Sequence, residues 1–216
     1  MGKPGTLPLA LNASLQRLGV QYLDIYLLHL PGILDKDRRK CSSALPNGPS
    51  MRAALWAEMT IALQSGLARA IGVANFAWRH LQPLVDSPVP PMVLQTEYSL
   101  LHHDEELRRH CRARSIAIIG YGSLANMLMN PKSETTRGVA EIANAHNASP
   151  THVALSWTTR RGVAIIPRSF SAAHLAENRQ PACDLSPAED DALAALSSRE
   201  RSRDLYGTRK VMATMK

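Results

Sequence analysis

The sequence predicts an α/β fold built from consecutive strand–helix units. Short apolar runs rich in β-branched residues alternate with longer stretches of helical period, and no antiparallel hairpin signal separates them. With 216 residues, 45% of them hydrophobic and 20% charged, the chain suits one soluble globular domain. Its apolar runs all fall short of the roughly 20 residues that a membrane helix needs. Periodicity alone does not choose between an open doubly wound sheet and part of a closed barrel.

Five strands are predicted, each a short apolar run bounded by glycine, proline or polar residues. In the first, side chains alternate between the two faces, so Tyr26 and Leu28 point toward the helices while Ile25, Leu27 and His29 point the other way. The five predicted strands span residues 24–29, 70–74, 92–97, 115–121 and 162–167.

Helices are predicted between and around these strands. A serine before a proline, as at Ser149 and Ser186, is a typical helix start. The segments 32–49 and 122–136 are predicted loops that follow the carboxyl ends of strands, where α/β folds place their ligands. The predicted helices span residues 9–18, 51–65, 78–85, 105–113, 138–146, 150–160, 172–178 and 187–196.

The net charge of +7 does not indicate a nucleic-acid partner. The basic clusters at 36–40, 108–114 and 199–210 contain or adjoin acidic residues and carry no interleaved aromatic residues, which is typical of a solvated surface. We therefore expect neither a nucleic acid nor a membrane as partner.

Cysteine and histidine spacing predicts no metal site. Cys41, Cys111 and Cys183 are far apart and odd in number, which indicates neither a disulfide framework nor a zinc site and favours a reducing, cytoplasmic compartment. The acidic and histidine residues from His102 to Glu106 are interpreted as solvated, because neighbours on a turn before a helix rarely converge on one ion.

Four polar residues stand at or near the carboxyl ends of successive predicted strands: His29, Asn75, Gln95 and Tyr121. One such residue would carry little information, since an exposed Asn or Gln is usually only solvated and a strand-end histidine is often part of the core. Four at one rim favour a binding site for a polar ligand that has amide groups and a flat ring.

A phosphate site is predicted after the last strand. Arg168, Ser169 and Ser171 precede a short helix, and free N–H groups, hydroxyls and a guanidinium together suit an anion. The sequence has neither a GxGxxG nor a Walker motif, so any nucleotide is held by something other than a Rossmann turn.

Five segments carry a resemblance to the aldo-keto reductase family. GLARAIGVANF is similar to the family's G-x-x-x-x-I-G-x-S-N-F, and IPRSFSAAHLAEN is similar to I-P-x-S-x-x-x-x-R-x-x-E-N. The segments keep the family's order across nearly the whole chain and span residues 15–31, 66–76, 95–98, 121–124 and 166–178.

The resemblance implies a partial (β/α)8 TIM barrel, with strands 4 to 8 of the family barrel and their helices in one domain over residues 1–216. It also implies reduction of small aldehydes or ketones with NADPH. His29 would orient the substrate carbonyl, Asn75 and Gln95 would bind the nicotinamide carboxamide, and Tyr121 would stack on its ring. The other implied cofactor contacts are Ser123, Leu124, Arg168, Ser169, Phe170, Ser171, His174, Glu177 and Asn178, with Arg168, Ser169 and Ser171 on the 2′-phosphate and Glu177 and Asn178 on adenine.

Two departures from the family pattern affect the cofactor. Ala74 replaces a serine that would contact the carboxamide, a loss of about 1 kcal/mol for a typical hydrogen bond. His174 replaces the usual arginine, so preference for NADPH over NADH would rest mainly on Arg168.

A third departure is an absence. The family's proton donor is a tyrosine assisted by a lysine and an aspartate, all on βα units before the histidine strand, and we expect these to be missing from this chain. A βα unit takes on the order of 30 residues, and only about two dozen precede that strand here. A tyrosine without such help has a pKa near ~10 and donates poorly at neutral pH.

Three hypotheses follow. The first is an NADPH-dependent carbonyl reductase represented by an N-terminally truncated chain that is inactive by itself and self-associates through open barrel edges. The second is a non-catalytic dinucleotide-binding or interaction module. The third is a flavodoxin-like open sheet unrelated to reductases, which would leave the motif order unexplained.

Overall fold

A computed structural model describes residues 5–34, 41–42, 48–124, 127–128, 131–180 and 182–199. Its central feature is a five-stranded sheet in the order β1, β4, β5, β6, β7, with parallel pairing of β1 with β4, β4 with β5 and β6 with β7. The strands are β1 (Leu23–Leu28), β2 (Ile33–Leu34), β3 (Cys41–Ser42), β4 (Ala68–Ala74), β5 (Val93–Glu97), β6 (Ala117–Tyr121) and β7 (Val163–Ile165).

The strand order decides between the two architectures that periodicity left open. Neighbouring strands of this sheet follow one another in the chain, whereas a doubly wound sheet reverses its order at a switch point. The predicted partial (β/α)8 barrel is therefore confirmed, and the flavodoxin-like alternative is wrong.

Helices pack between the strands close to their predicted positions. The exact matches are α3, α6 and α7, and the predicted caps form, since the Ser149 hydroxyl accepts the His152 N–H at 3.0 Å and Ser186 exchanges hydrogen bonds with Glu189. The helices are α1 (Leu7–Leu18), α2 (Gly48–Gln64), α3 (Trp78–Val85), α4 (Glu105–Arg112), α5 (Glu134–Ala145), α6 (Pro150–Arg160), α7 (Ala172–Asn178) and α8 (Pro187–Arg199).

Two predicted loops contain more regular structure than expected. In segment 32–49, the two-residue strands β2 and β3 pair antiparallel, and α2 begins at Gly48. In segment 122–136, α5 begins at Glu134, because the Ser133 hydroxyl caps it by accepting the Thr136 N–H at 3.0 Å. The basic segments 36–40 and 200–210 lie outside the described residues.

The chain forms two compact units. The described part of the first lies in residues 5–95 and 106–117, and that of the second in 96–105 and 118–199. The prediction of one domain stays a prediction. Within the described residues, no helix is long and apolar enough to cross a membrane.

In the first unit, β1 has one covered and one open face. Tyr26 packs against a cluster of Leu11, Leu15 and Ala62 from α1 and α2, which confirms its predicted orientation toward the helices. On the other face, the Ile25 side chain remains 42% exposed. The face of β1 that leads to His29 is therefore accessible.

The second unit is centred on aromatic side chains. Trp157 is fully buried against Tyr98 and His103, with ring centroids 6.4 and 5.0 Å away. The Arg161 guanidinium lies 3.7 Å from the Trp157 ring and binds both carboxylate oxygens of Asp190, at 2.6 and 2.9 Å. Trp157 thus has a packing role.

The interpretation of residues 102–106 as solvated is wrong for the two histidines, whereas Asp104, Glu105 and Glu106 are exposed as expected. His102 is buried, with Nδ1 3.8 Å from the buried Glu97 carboxylate, and burial lowers the pKa of His103. The sequence from His102 to Glu106 is typical of an exposed turn, but an isolated β-bridge between Ser99 and His102 folds the histidines onto the core.

Candidate functional site

The first unit brings three predicted site residues together by hydrogen bonds. His29 is exposed and directly follows β1. The Asn75 amide donates from Nδ2 to the His29 carbonyl oxygen at 3.0 Å, and the Asn75 N–H donates to the Gln95 carbonyl oxygen at 2.8 Å. One asparagine therefore fixes the strand ends that carry the other two residues.

Local sequence explains why asparagine occupies this position. Asn75 has a φ of 62°, in the left-handed region that asparagine tolerates better than most residues. It follows β4, whose last residue, Ala74, is in register with Gln95 of β5. Because parallel strands end at one edge of a sheet, this register places Asn75 and Gln95 beside each other. Asn75 is buried, as a residue with this role requires.

In the second unit, the predicted ring-stacking residue ends β6. Tyr121 is half-buried, and its carbonyl oxygen accepts the Tyr98 N–H at 3.1 Å. The Ser123 hydroxyl is buried and donates to the Gly120 carbonyl at 3.2 Å, while Leu124 is half-buried. Ser123 thus holds the turn after β6. That Tyr121 stacks on a nicotinamide ring stays a prediction.

The predicted phosphate site lies on an open surface of the second unit. Arg168 is exposed, and its guanidinium lies 5.5 Å from the centre of the Phe170 ring, which is 94% exposed. The Ser169 hydroxyl accepts the Ser171 N–H at 3.0 Å, and the Ser171 hydroxyl accepts the N–H of the exposed His174 at 3.4 Å. Each serine oxygen is an acceptor in these contacts, so its own O–H remains able to donate to a phosphate oxygen.

The predicted adenine contacts lie at the end of α7. Glu177 accepts a hydrogen bond from the Ser149 hydroxyl. Asn178 Oδ1 is buried and has no hydrogen-bond partner among the described residues. A buried acceptor without a partner is unfavourable, and a ligand N–H would satisfy it. The amino group of adenine is such a donor, so Asn178 fits the cofactor that the resemblance implies.

Sequence reasoning missed a cavity next to Glu177. It has a volume of about 590 Å³, and Ser149, His152 and Cys183 are among its lining residues. The sequence indicates Ser149 only as a helix cap. Nothing in the local sequence indicates that its hydroxyl reaches Glu177, 28 positions along the chain.

The described tyrosines near His29 are poor proton donors. Burial raises the pKa of Tyr26, the opposite of what a general acid at neutral pH requires. Tyr22 precedes β1 and stacks with the Arg69 guanidinium, 4.0 Å from its ring centre. Seven strand-like steps of about 3.3 Å separate Tyr22 from His29, a distance of roughly 23 Å. Tyr206 lies outside the described residues.

Metal ligands were not expected, and among the residues with described positions no three His, Cys, Asp or Glu side chains are arranged to hold an ion.

Comparison with known families gives a match over most of the chain. The model of the Aldo/keto reductase family matches residues 2–198. The chain belongs to this family. The match covers the segments that carry His29, Asn75, Gln95, Tyr121 and residues 166–178.

Two curated aldo/keto reductases illustrate the relationship. NADPH-dependent codeinone reductase 1-2 of Papaver somniferum is 33% identical over 181 aligned positions, and the match covers 78% of this chain and 54% of the relative. Glyoxal reductase of Bacillus subtilis is 32% identical over 194 residues, 89% of this chain and 63% of the relative. The chain thus spans between half and two thirds of these relatives.

Solved structures of the family match as well. The aldose reductase from Schistosoma japonicum has a TM-score of 0.81 at 25% identity, over 98% of this chain and 69% of that one. An aldo-keto reductase complexed with NADPH has a TM-score of 0.75 at 23% identity, over 90% of this chain and 60% of that one. The second likeness concerns the fold alone.

Proposed function

We propose that this chain provides the cofactor-binding and carbonyl-orienting part of an NADPH-dependent oxidoreductase that reduces small aldehydes or ketones. The observation that carries the proposal is the pair of hydrogen bonds through which Asn75 fixes the strand ends at His29 and Gln95. Membership of the aldo/keto reductase family supports it, as does the relative named NADPH-dependent codeinone reductase.

The part of the site in the first unit presents the substrate carbonyl. The Asn75 amide restrains the backbone of His29, whose exposed imidazole then donates an N–H to the carbonyl oxygen. This polarises the carbonyl carbon for the hydride that NADPH supplies when bound. Gln95 offers an amide for the nicotinamide carboxamide.

For the second unit, we propose contacts with the 2′-phosphate and the adenine of the cofactor. Arg168, Ser169 and Ser171 supply a guanidinium and two hydroxyls for the 2′-phosphate. Asn178 Oδ1 accepts from adenine, which the absence of a partner for this atom among the described residues supports. His174, the histidine in place of the family's arginine, is exposed on the same helix.

The second candidate function is a non-catalytic dinucleotide-binding module, and the tyrosine environments favour it for the isolated chain. A proton donor contributes about 10² to 10⁴ in rate, and Tyr26 and Tyr22 are unsuited to the role. We propose that the 216-residue chain binds NADPH but reduces aldehydes slowly.

NADPH titration of the purified chain, followed by cofactor fluorescence, tests both candidates. We expect saturable binding that Arg168→Gln weakens roughly tenfold for NADPH but hardly for NADH, because only NADPH carries the 2′-phosphate. Arg179→Gln, an equal loss of charge after α7, is the control. No binding at millimolar NADPH would exclude both functions, and rapid NADPH oxidation with methylglyoxal would exclude the non-catalytic one.

The compartment and self-association remain proposals of the same kind. Cys111 and Cys183 are free thiols, which supports a reducing compartment such as the cytoplasm. Strands β1 and β7 end the described sheet, and unpaired strand edges favour association between copies. Light scattering coupled to size-exclusion chromatography measures this directly, and a monomer at all concentrations would exclude it.

A further inference from the structure

An aromatic ring stands on the open surface of the predicted phosphate site. Phe170 lies between Ser169 and Ser171 and is 94% exposed, more than any other large hydrophobic residue of the described chain. A phenylalanine stabilises a fold through the apolar area that it buries, so one in this position contributes almost nothing to the core. Packing therefore does not explain the side chain, and its substitution should leave the fold intact.

The ring of Phe170 contacts an arginine. The guanidinium carbon of Arg168 lies 5.5 Å from the ring centre, within the roughly 6 Å over which a cation is attracted to an aromatic face. Arg168 is exposed as well. Its guanidinium is the group that we proposed for the 2′-phosphate of the cofactor. The ring thus touches the residue on which a preference for NADPH would mainly rest.

Three other arginine–aromatic pairs of the described chain are also held by hydrogen bonds from the guanidinium to protein oxygens. The acceptors are Asp24 for Arg69 at 3.1 Å, the His110 carbonyl for Arg114 at 3.4 Å, and Asp190 for Arg161 at 2.6 Å. Arg168 and Phe170, by contrast, are both exposed and alternate along the chain with Ser169 and Ser171, whose hydroxyls suit an anion. This pair is therefore placed to meet a ligand.

Contact with a ring changes how well an arginine binds a phosphate. An arginine side chain on an open surface samples many rotamers, and ordering it when a ligand binds lowers the affinity. An aromatic face restricts those rotamers, whereas the N–H groups at the edge of the planar guanidinium still point outward and can donate to phosphate oxygens. The ring should therefore reduce the entropy that the arginine loses on binding.

We propose that Phe170 is a positioning residue, which holds the Arg168 guanidinium ready for a phosphate group and thereby raises the preference of the site for NADPH over NADH. The phenyl ring has no hydrogen-bonding group, so the effect passes through Arg168. This role is distinct from direct stacking of the ring on adenine, which would act on NADPH and NADH alike. The inference rests on the proposed function, because it takes the phosphate to be the 2′-phosphate of the cofactor.

Titration of the full chain with NADPH and NADH, followed by cofactor fluorescence, tests the proposal. Phe170→Leu should weaken NADPH binding about threefold and leave NADH binding unchanged, as expected for the loss of one exposed cation–π contact. Phe170→Tyr keeps an aromatic face and should retain the wild-type preference. Equal weakening of both cofactors in Phe170→Leu would show stacking on adenine, and an unchanged preference would show that the ring has no part in binding. Either result would overturn the proposal.

A double-mutant cycle shows whether the ring acts through Arg168. In the Arg168→Gln background, Phe170→Leu should cause no further loss of NADPH affinity, because the guanidinium that it positions is gone. Leu175→Ala, which removes another exposed hydrophobic side chain from the same surface, is the matched control and should not change the preference. A threefold loss that persists without Arg168 would refute the positioning role. Circular dichroism checks that all variants are folded.

Inorganic phosphate, titrated without cofactor and followed by the NMR signal of the Arg168 side chain, distinguishes this proposal from the proposed function. Normal NADPH binding with an unchanged preference in Phe170→Leu would refute only the positioning role. Phosphate binding that Phe170→Leu weakens, in a chain that fails to bind NADPH, would refute the reductase function and support Phe170 as a positioning residue for an anion of another kind. Phosphate binding that is indifferent to Phe170 in such a chain would refute both.

Discussion

The two units hold their candidate site residues in different ways. In the first, Asn75 is buried and bonded to the strand ends at His29 and Gln95. In the second, the residues lie on a loop and on α7, a seven-residue helix in which no residue is buried as a whole. A sheet edge fixes its residues before a ligand arrives, whereas a surface helix relies on the ligand for part of its order. The residues proposed for the carbonyl are thus preorganised, and those proposed for adenosine are adaptable.

Asn75 and Asn178 illustrate this difference between the two units. The Asn75 side chain completes the structure through the His29 carbonyl, while Asn178 Oδ1 has no partner among the described residues. Substitutions at the first should therefore affect stability, and substitutions at the second should affect binding.

The largest effect is expected from Gly72→Ala in the first unit. A Cβ at this position would lie 2.2 Å from the Val93 carbonyl oxygen, which belongs to the backbone of β5 and cannot move aside. Separation of β4 from β5 should cost about 3 kcal/mol of unfolding free energy, measured by urea denaturation. It should also disturb the Asn75–Gln95 contact just beyond.

The control for this prediction is Gly66→Ala. Gly66 has a φ of +72°, and apart from its chain neighbours no atom of the described residues lies within 4 Å of the place that an alanine methyl group would take. Only backbone strain of about 1 kcal/mol is therefore expected. Similar losses of unfolding free energy in Gly72→Ala and Gly66→Ala would show that the close approach of β4 to β5 has no special effect on stability.

Asn75→Ala should destabilise the chain by about 2 kcal/mol. The variant loses a hydrogen bond and places alanine at a φ of 62°. Asn75→Gly loses the same bond without the strain, so its smaller loss in urea denaturation isolates the effect of the amide. If both variants kept wild-type stability, the sheet end would not depend on Asn75.

Asn178→Ala should affect NADPH binding rather than stability, the opposite of Asn75→Ala. Because Asn178 Oδ1 has no partner in the described structure, the unfolding free energy should change by less than about 0.5 kcal/mol. NADPH affinity, measured by fluorescence titration, should fall roughly tenfold if this oxygen accepts from adenine. A destabilised variant with normal NADPH affinity would contradict the contrast between the two units.

The smallest effect concerns pH and the start of α8. Hydrogen bonds from the backbone N–H and hydroxyl of Ser186, with help from His146, lower the Glu189 pKa from 4.5 to about 2. The ionised Glu189 carboxylate therefore stabilises the folded chain fully above pH 4.5, and this stabilisation is lost as the pH falls toward 2. Carboxyl NMR titration should find this pKa, and Glu189→Gln should remove the pH dependence of helix content in that window. A Glu189 pKa near 4.5 would contradict this prediction.

Local sequence was sufficient for most elements. The predicted bounds of α3, α6 and α7 agree with the structure, and the caps at Ser149 and Ser186 form as expected, because such signals act within a few residues. The short pairing of β2 with β3 was missed, since two-residue strands leave almost no periodic signal. Of the site, the sequence indicated His29, Asn75 and Gln95 as neighbours, which the first unit bears out by direct hydrogen bonds.

Other features could not be predicted because they depend on distant residues. The run at His102 looked polar and exposed, yet it folds against Glu97. Arg52 belongs to no motif of the sequence, yet it is buried and donates to the Pro31 carbonyl oxygen. In each case the contact depends on how separate elements pack, and no local pattern encodes that packing.

The sequence by itself determined the order of strands and helices, the helix starts and the family, because these depend on periodicity and on motifs a few residues long. Only the tertiary structure decided which polar groups are bonded and which are available. The Asn75 amide reaches His29 across 46 positions, the Ser149 hydroxyl reaches Glu177 across 28, and Arg52 reaches Pro31 across 21. Such contacts form only when packing brings remote segments within about 3 Å, the range of a hydrogen bond.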